Sequence, residues 1–114
     1  MHELGIVENV LALVRESAES HCITKVKKIK LVVGKASMAL PESLRFAFDV
    51  LSKEEELFKE ASLEIEERDT ECHCLSCDFR FSPQEEGFAC PCCRETRVEI
   101  VKGRELFVDF FEGE

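Results

Sequence analysis

Two groups of residues in this chain have the types and spacing that bind metal ions. The first is the opening Met1-His2-Glu3, where a free amino group, the following amide nitrogens and an imidazole can form fused chelate rings around one ion. Nitrogen-rich planar donor sets of this kind favour Ni(II) or Cu(II). A His at the second position is by itself a weak signal, so the prediction of an open site at Met1, His2 and Glu3 depends on what accompanies it.

The second group is a set of cysteines in two C-x-x-C pairs. Cys74 and Cys77 form one pair, Cys90 and Cys93 form the other, and twelve residues separate the pairs. Each pair makes a tight turn that directs two sulfurs at one point, and the intervening loop is long enough to bring the turns face to face. Four thiolates complete a tetrahedral shell around Zn²⁺ and leave no position open for water or substrate. We therefore predict a structural zinc site rather than a catalytic one.

Other potential ligands surround this pattern. Cys72, Cys92 and His73 lie close enough in the sequence to substitute as ligands, but C-x-C spacing presents two sulfurs less well than C-x-x-C, so we rank them below the two pairs. Cys22 follows the first predicted helix and is interpreted as a small core residue. The odd total of seven cysteines argues against a complete disulfide framework and favours metal ligation in a reducing compartment.

Two other functions share the cysteine pattern and are kept as alternatives. A rubredoxin-like iron site passes single electrons, but its knuckles usually carry Gly where this chain has Asp78 and Arg94. A zinc-ribbon interaction module that binds nucleic acid requires a basic face. Residues 70–103 contain many acids, and the whole chain has a net charge of −9. We therefore expect no nucleic-acid partner.

Length and hydropathy limit the class of protein. The chain has 114 residues, of which 45% are hydrophobic, and this is enough for one compact domain or for a small domain with a metal-stapled module. The start carries Glu3 and Glu8 in place of a basic segment, and no uninterrupted apolar run approaches membrane-spanning length. We therefore expect a cytoplasmic protein that does not bind membranes.

Apolar periodicity predicts the elements that position these residues. An amphipathic helix is predicted over residues 4–20, and a second helix begins near Pro41. Alternating residues predict strands over residues 26–33, around Leu63 and Ile65, and over residues 106–111. Because none of these strands is stable alone, we expect an α+β fold with a three-stranded sheet covered by two helices.

The cysteine region interrupts this pattern. We predict that residues 1–69 form a nickel-binding α/β domain, completed by strand 104–112, and that residues 70–103 are an inserted, zinc-ribbon-like, zinc-binding module. Phe79, Phe81 and Phe88 are the few large apolar residues of the module. We expect zinc to supply most of its core because a segment this short buries little apolar surface.

Three stretches together resemble the HypA/HybF family of hydrogenase nickel-insertion accessory proteins. They are Met1-His2-Glu3-Leu4, the stretch from Glu71 to Cys77, and Cys90-Pro91-Cys92-Cys93. The resemblance covers the whole chain. It implies a cytoplasmic metallochaperone, not an enzyme, that helps to load nickel into the precursor of the [NiFe] hydrogenase large subunit. It also implies a partner GTPase of the same maturation pathway, and some family members assist urease.

The resemblance also implies roles for individual residues. His2 would be the essential nickel ligand, supported by the Met1 amino group and a main-chain nitrogen near Glu3. The structural zinc would be held by Cys74, Cys77, Cys90 and Cys93. The Glu3 carboxylate remains open between a ligand, a group that orients the ligands and a first-turn acid that complements the helix dipole. The working unit is expected to be a monomer or a homodimer.

Overall fold

The computed structural model describes residues 3–83 and 88–114. These residues form two compact units, which we describe separately. Unit 1 contains the chain through Val32 together with Ala39–Glu66 and Phe107–Glu114. Unit 2 contains Val33–Met38 and Glu67–Leu106. No helix in the described part of the chain combines the length and apolar character needed to cross a membrane.

The helices and strands follow the predicted order, and the α+β fold class is confirmed. The two helices are α1 (Glu3–Ser20) and α2 (Pro41–Ser52), and short 3-10 turns cover Lys35–Ser37 and Glu56–Phe58. The strands are β1 (Val26–Gly34), β2 (Ser62–Arg68), β3 (Glu71–Cys74), β4 (Arg80–Phe81), β5 (Val98–Lys102) and β6 (Leu106–Gly113). Pro41 occupies the first turn of α2, where its missing N–H costs nothing.

The predicted three strands share one sheet, in the order β2-β1-β6. At the start of β1 the Lys25 N–H donates to the Glu114 carbonyl at 3.0 Å, and at its end the Gly34 N–H donates to the Glu105 carbonyl at 2.6 Å. β1 and β6 are therefore antiparallel. The ion pairs Lys28–Glu64 and Lys30–Glu66 advance in the same direction along β1 and β2, as in a parallel pair joined by the crossover helix α2.

The core of unit 1 lies between the two helices and the sheet. The helical stripe expected from the sequence is buried, with Val7, Leu11 and Val14 each no more than 2% exposed. In α2, Leu44 and Phe48 are buried in the same way. Phe58, in the connection that follows α2, is fully buried and adds to this core. It lies beneath an Arg15–Glu55 pair, whose two hydrogen bonds measure 2.9 and 2.7 Å.

Unit 2 has its own antiparallel sheet, in the order β4-β3-β5. Its buried cluster consists of three sulfurs and one ring, contributed by Cys72, Cys74, Cys90 and Phe81, with Val98 and Ile100 packed against it. Of the module's three phenylalanines, Phe81 is buried and the other two are not. Phe79 is 44% exposed and Phe88 is 49% exposed, because the sulfurs of two tight turns occupy the centre and leave space for one ring.

Candidate metal centres

Four cysteine side chains converge in unit 2. The Sγ atoms of Cys74, Cys77, Cys90 and Cys93 all lie within 4.8 Å of one another. The Sγ–Sγ distance is 3.5 Å for Cys74 and Cys93, and 3.6 Å for Cys77 and Cys90. Zn–S bonds of about 2.3 Å in a tetrahedron place sulfurs about 3.8 Å apart, whereas a disulfide needs about 2.05 Å. The donor set therefore fits a tetrahedral thiophilic ion.

The two C-x-x-C turns have the same backbone. In the first, the Asp78 N–H donates to the Cys74 carbonyl at 3.0 Å, and in the second the Arg94 N–H donates to the Cys90 carbonyl at 2.7 Å. Asp78 and Arg94 have φ values of 64° and 66°, in the left-handed region that glycine enters most easily. The residues that depart from the glycine of rubredoxin knuckles therefore still adopt the backbone conformation that this turn requires.

Backbone amides around the sulfurs favour thiolates at the first cysteine of each turn. The amide of Cys77 is the main donor to the Cys74 sulfur, and it lowers the pKa of that thiol. Burial opposes ionisation of Cys90, but amides of Cys93 and Cys92 lower its pKa to about 7.

The second cysteine of the first turn behaves in the opposite way. The Phe79 amide favours the Cys77 thiolate, but desolvation and the neighbouring thiols outweigh it and raise the Cys77 pKa to about 12. Sulfurs this close cannot all carry negative charge unless a cation lies among them, because like charges at short range disfavour ionisation. A divalent cation at the centre would compensate the negative charge of all four thiolates.

The remaining candidate ligands are not members of this group of four converging sulfurs. Cys72 is fully buried on β3, and burial raises the pKa of its thiol, while Cys92 is exposed. His73 Nε2 lies 3.1 Å from Asp78 Oδ1, and its Nδ1 lies 3.1 Å from Glu99 Oε1. The ring therefore bridges the first turn to β5, and both of its nitrogens already have partners.

The interpretation of Cys22 as a core residue was wrong. Cys22 is exposed and has a φ of 56°. The Ile23 N–H donates to the Ala18 carbonyl at 2.9 Å, and the Cys22 N–H donates to the Glu19 carbonyl at 3.3 Å. These bonds form a Schellman motif, which places Cys22 at the left-handed position that ends α1. A glycine usually marks this position, and its absence concealed the motif in the sequence.

Of the three residues assigned to nickel, Met1 and His2 lie outside the described residues. Glu3 begins α1, and its Oε2 accepts a hydrogen bond of 3.2 Å from the Leu40 N–H. Leu40 is the N-cap residue of α2, so the Glu3 carboxylate joins the starts of the two helices. This contact was not visible in the sequence because the two residues are far apart along the chain.

Comparison with known proteins extends over the whole chain. The family model described as "Hydrogenase/urease nickel incorporation, metallochaperone, hypA" matches residues 1–113. Proteins named hydrogenase maturation factor HypA are 40% identical over 114 residues in Moorella thermoacetica and 37% identical over 115 residues in Methylocella silvestris, with both chains covered completely in each case.

A solved structure supports the same relationship. The solution structure of the Ni metallochaperone HypA from Helicobacter pylori covers 99% of this chain and 97% of its own, with a TM-score of 0.69 at 26% identity. A second solution structure, described as HypA protein, covers 100% of this chain and 97% of its own, with a TM-score of 0.72 at 26% identity. The family resemblance inferred from the sequence motifs is confirmed, and the chain belongs to the HypA family of hydrogenase and urease nickel-incorporation metallochaperones.

Proposed function

We propose that this protein is a nickel metallochaperone that binds Ni(II) at its N-terminus and assists nickel insertion into [NiFe] hydrogenase. The observation that carries the proposal is the family match over residues 1–113, which includes the Met1-His2-Glu3 start. A rubredoxin-like electron carrier or a nucleic-acid-binding ribbon would not need this start. The role is that of a carrier, not of an enzyme, and nickel is its cargo.

The terminal chelate has the chemistry that a carrier needs. The amino group of Met1, the following amide nitrogens and the His2 imidazole form a planar nitrogen set that suits Ni(II). Because it uses one side chain, a partner can dismantle it one donor at a time. The 3.2 Å contact between the Glu3 carboxylate and the Leu40 N–H supports a role for Glu3 in holding the chelate's third residue at the helix start.

The cysteine cluster has the opposite role in this proposal. Cys74, Cys77, Cys90 and Cys93 hold Zn²⁺, which braces unit 2 and takes no part in delivery. Four sulfurs within 4.8 Å of one another leave no coordination position for a substrate. Structural zinc is worth roughly 10–16 kcal/mol of apparent binding free energy in small peptides, so its removal unfolds the module.

The proposal includes partners and a compartment. A GTPase of nickel maturation and the hydrogenase large subunit precursor are the expected partners, and the chain works as a monomer or a homodimer. A cytoplasmic location is part of the proposal, and it fits a chain in which none of the seven cysteines forms a disulfide.

Metal analysis of untagged protein tests the proposal. We expect about one equivalent of Ni(II) after incubation and desalting, in addition to zinc. His2→Ala should abolish tight nickel binding and leave zinc unchanged, while His21→Ala serves as the matched control because His21 is exposed at the end of α1. A residue added before Met1 should act like His2→Ala because it converts the amine to an amide. Unchanged nickel uptake in His2→Ala would refute the terminal site.

The same preparation distinguishes the alternatives. An iron–thiolate centre absorbs visible light, whereas a zinc–thiolate centre is colourless because Zn²⁺ has a filled d shell. A coloured protein that contains iron in place of zinc would support the electron carrier and contradict the structural zinc.

A further inference from the structure

A groove between α1 and α2, which we call the helix groove, combines an apolar floor with an acidic rim. It measures about 780 Å³ and belongs entirely to unit 1. Leu4, Phe46 and Val50 contribute apolar side chains, and Phe46 is 72% exposed. A large ring left this open to water on a helix whose opposite face is well buried indicates a surface that another molecule covers.

The rim of the helix groove carries three carboxylates. Glu3 and Glu8 line one wall and Glu42 lines the other, and no Lys or Arg in the described part of the chain lines the groove. Among the residues that the structure describes, neither Glu8 nor Glu42 forms an ion pair. By contrast, Glu60, which lies just before β2, pairs with Lys25 and Lys27, and Glu66 on β2 pairs with Lys30.

Gly5 supplies an independent sign of close approach. It lies in α1 and lines the helix groove, yet a Cβ added there would meet no other atom of the described residues within 4 Å, apart from the backbone of α1 itself. Glycine is a poorer helix former than alanine, and the packing of residues 3–83 and 88–114 provides no reason for it. A glycine facing open space in a groove allows the backbone of a second molecule to come near.

We propose that the helix groove docks an amphipathic helix of a partner protein, with apolar residues on the floor and flanking Lys or Arg residues against the rim. The α2 residues that line it run from Glu42 to Val50, which is about 12 Å at 1.5 Å per residue. This length matches apolar anchors at i, i+3 or i+4, and i+7. The acidic rim selects a basic helix over an acidic one.

This inference rests on the proposed nickel function for the role of the partner. Glu3 lines the helix groove and directly follows His2 in the sequence. Two residues extend by at most about 7 Å. A helix bound in the groove therefore lies within reach of the cargo ion, and the protein that carries this helix is the one that delivers or receives nickel.

A peptide titration tests the groove directly. The probe is a fluorescent synthetic helix with leucines at i, i+4 and i+7 and lysines on both flanks, and the control probe replaces each lysine with glutamate. We expect saturable binding of the lysine probe to untagged full-length protein, and binding at least about tenfold weaker for the glutamate probe. Amide chemical-shift changes on binding should map to the N-terminal turn of α1 and to α2.

Three variants make the test specific. Phe46→Ala should weaken binding at least about tenfold, and Gly5→Leu should do the same by filling the helix groove while leaving the melting temperature unchanged or higher. Glu8→Lys/Glu42→Lys should abolish binding of the lysine probe. Its matched control is Glu16→Lys/Glu112→Lys, which changes the net charge equally at exposed sites outside the groove and should retain binding.

The outcomes separate this proposal from the nickel function. Equal losses in the two charge variants would overturn the proposal, because binding would then follow net charge alone. Concentration-dependent dimerisation of the wild type that Phe46→Ala abolishes would also overturn it, because a second copy would then occupy the groove. His2→Ala should bind the lysine probe normally. A loss of nickel binding therefore leaves the groove proposal intact, and a loss of probe binding leaves the nickel proposal intact.

Discussion

Gly34→Ala should destabilise the protein because two backbone segments of unit 2 cross at this glycine. A Cβ at Gly34 would overlap the carbonyl group of Gly103 and would lie 2.7 Å from Glu105 Oε1. The Gly103 carbonyl cannot yield freely. It accepts a hydrogen bond from the Ala36 N–H at 2.7 Å, while the Gly103 N–H donates to the Glu105 carboxylate at 2.7 Å. Relief of the clash must therefore break at least one of these contacts.

The cost follows from these contacts. One lost backbone hydrogen bond is worth about 1 kcal/mol, and forced displacement in a packed region adds about 1–3 kcal/mol. The lower entropy of the unfolded alanine chain returns about 0.4–1 kcal/mol. The net loss in the free energy of unfolding is about 1–3 kcal/mol, or a fall in melting temperature of roughly 4–12 °C at about 4 °C per kcal/mol.

Thermal unfolding of the zinc-loaded protein by circular dichroism measures this loss. Gly5→Ala is the matched control because its Cβ would meet none of the other described residues within 4 Å, and it should leave the melting temperature unchanged or raise it. Hydrogen exchange at the Ala36 amide should accelerate in Gly34→Ala. If both alanine variants melt at the wild-type temperature, the crossing does not have the packing that this argument requires.

The remaining predictions concern the metal centres. Elemental analysis of purified Cys90→Ser should find no zinc, whereas Cys92→Ser should retain one equivalent, because Cys90 is in the cluster and Cys92 is not. Equal zinc content in the two variants would contradict the proposed ligand set. Nickel affinity measured by calorimetry should fall at least roughly a hundredfold from pH 8 to pH 6, because the His2 imidazole and the terminal amine, with pKa values of about 6.5 and 7.7–8.0, must be deprotonated to bind. An equal affinity at both pH values would exclude that chelate. Arg94→Gly should raise the unfolding free energy by up to about 1 kcal/mol, and Arg94→Val should lower it, because Arg94 has a φ of 66°; the reverse order in urea denaturation would contradict this assignment.

Elements with strong periodicity were predictable from the sequence. The apolar stripe of α1 and the proline at the start of α2 gave boundaries close to those observed, and the alternation in β1, β2 and β6 identified their shared sheet. The C-x-x-C spacing was equally informative because each pair closes its own turn through local bonds such as Asp78 N–H to Cys74 O. A local pattern therefore specifies each turn, and the metal site forms when the two turns bring their sulfurs together.

Features that depend on distant contacts were not predictable. The short strands β3, β4 and β5 have few residues to show a period, and their pairing, such as Cys72 with Phe81, is set by the turns between them. Phe79 is exposed whereas Phe81 is buried, and apolar residue type alone does not reveal which of the two rings packs against the sulfurs. Likewise Cys22 ends α1 in a left-handed conformation without the glycine that signals this position.

The two proposed sites differ in ways that keep their metals separate. The cysteine cluster imposes sulfur separations such as 3.5 and 3.6 Å, and a tetrahedral thiolate set suits zinc, whereas planar nitrogen donors suit Ni(II). The sites also differ in how they lose a metal. Release of the metal ion from the cluster must disrupt turns in which backbone N–H groups donate hydrogen bonds to the sulfurs of Cys74 and Cys90. Release of the ion from the terminus requires only that one donor after another be protonated or displaced. Under the proposed assignment of the two sites, the chain hands over nickel repeatedly without losing the ion that maintains its fold.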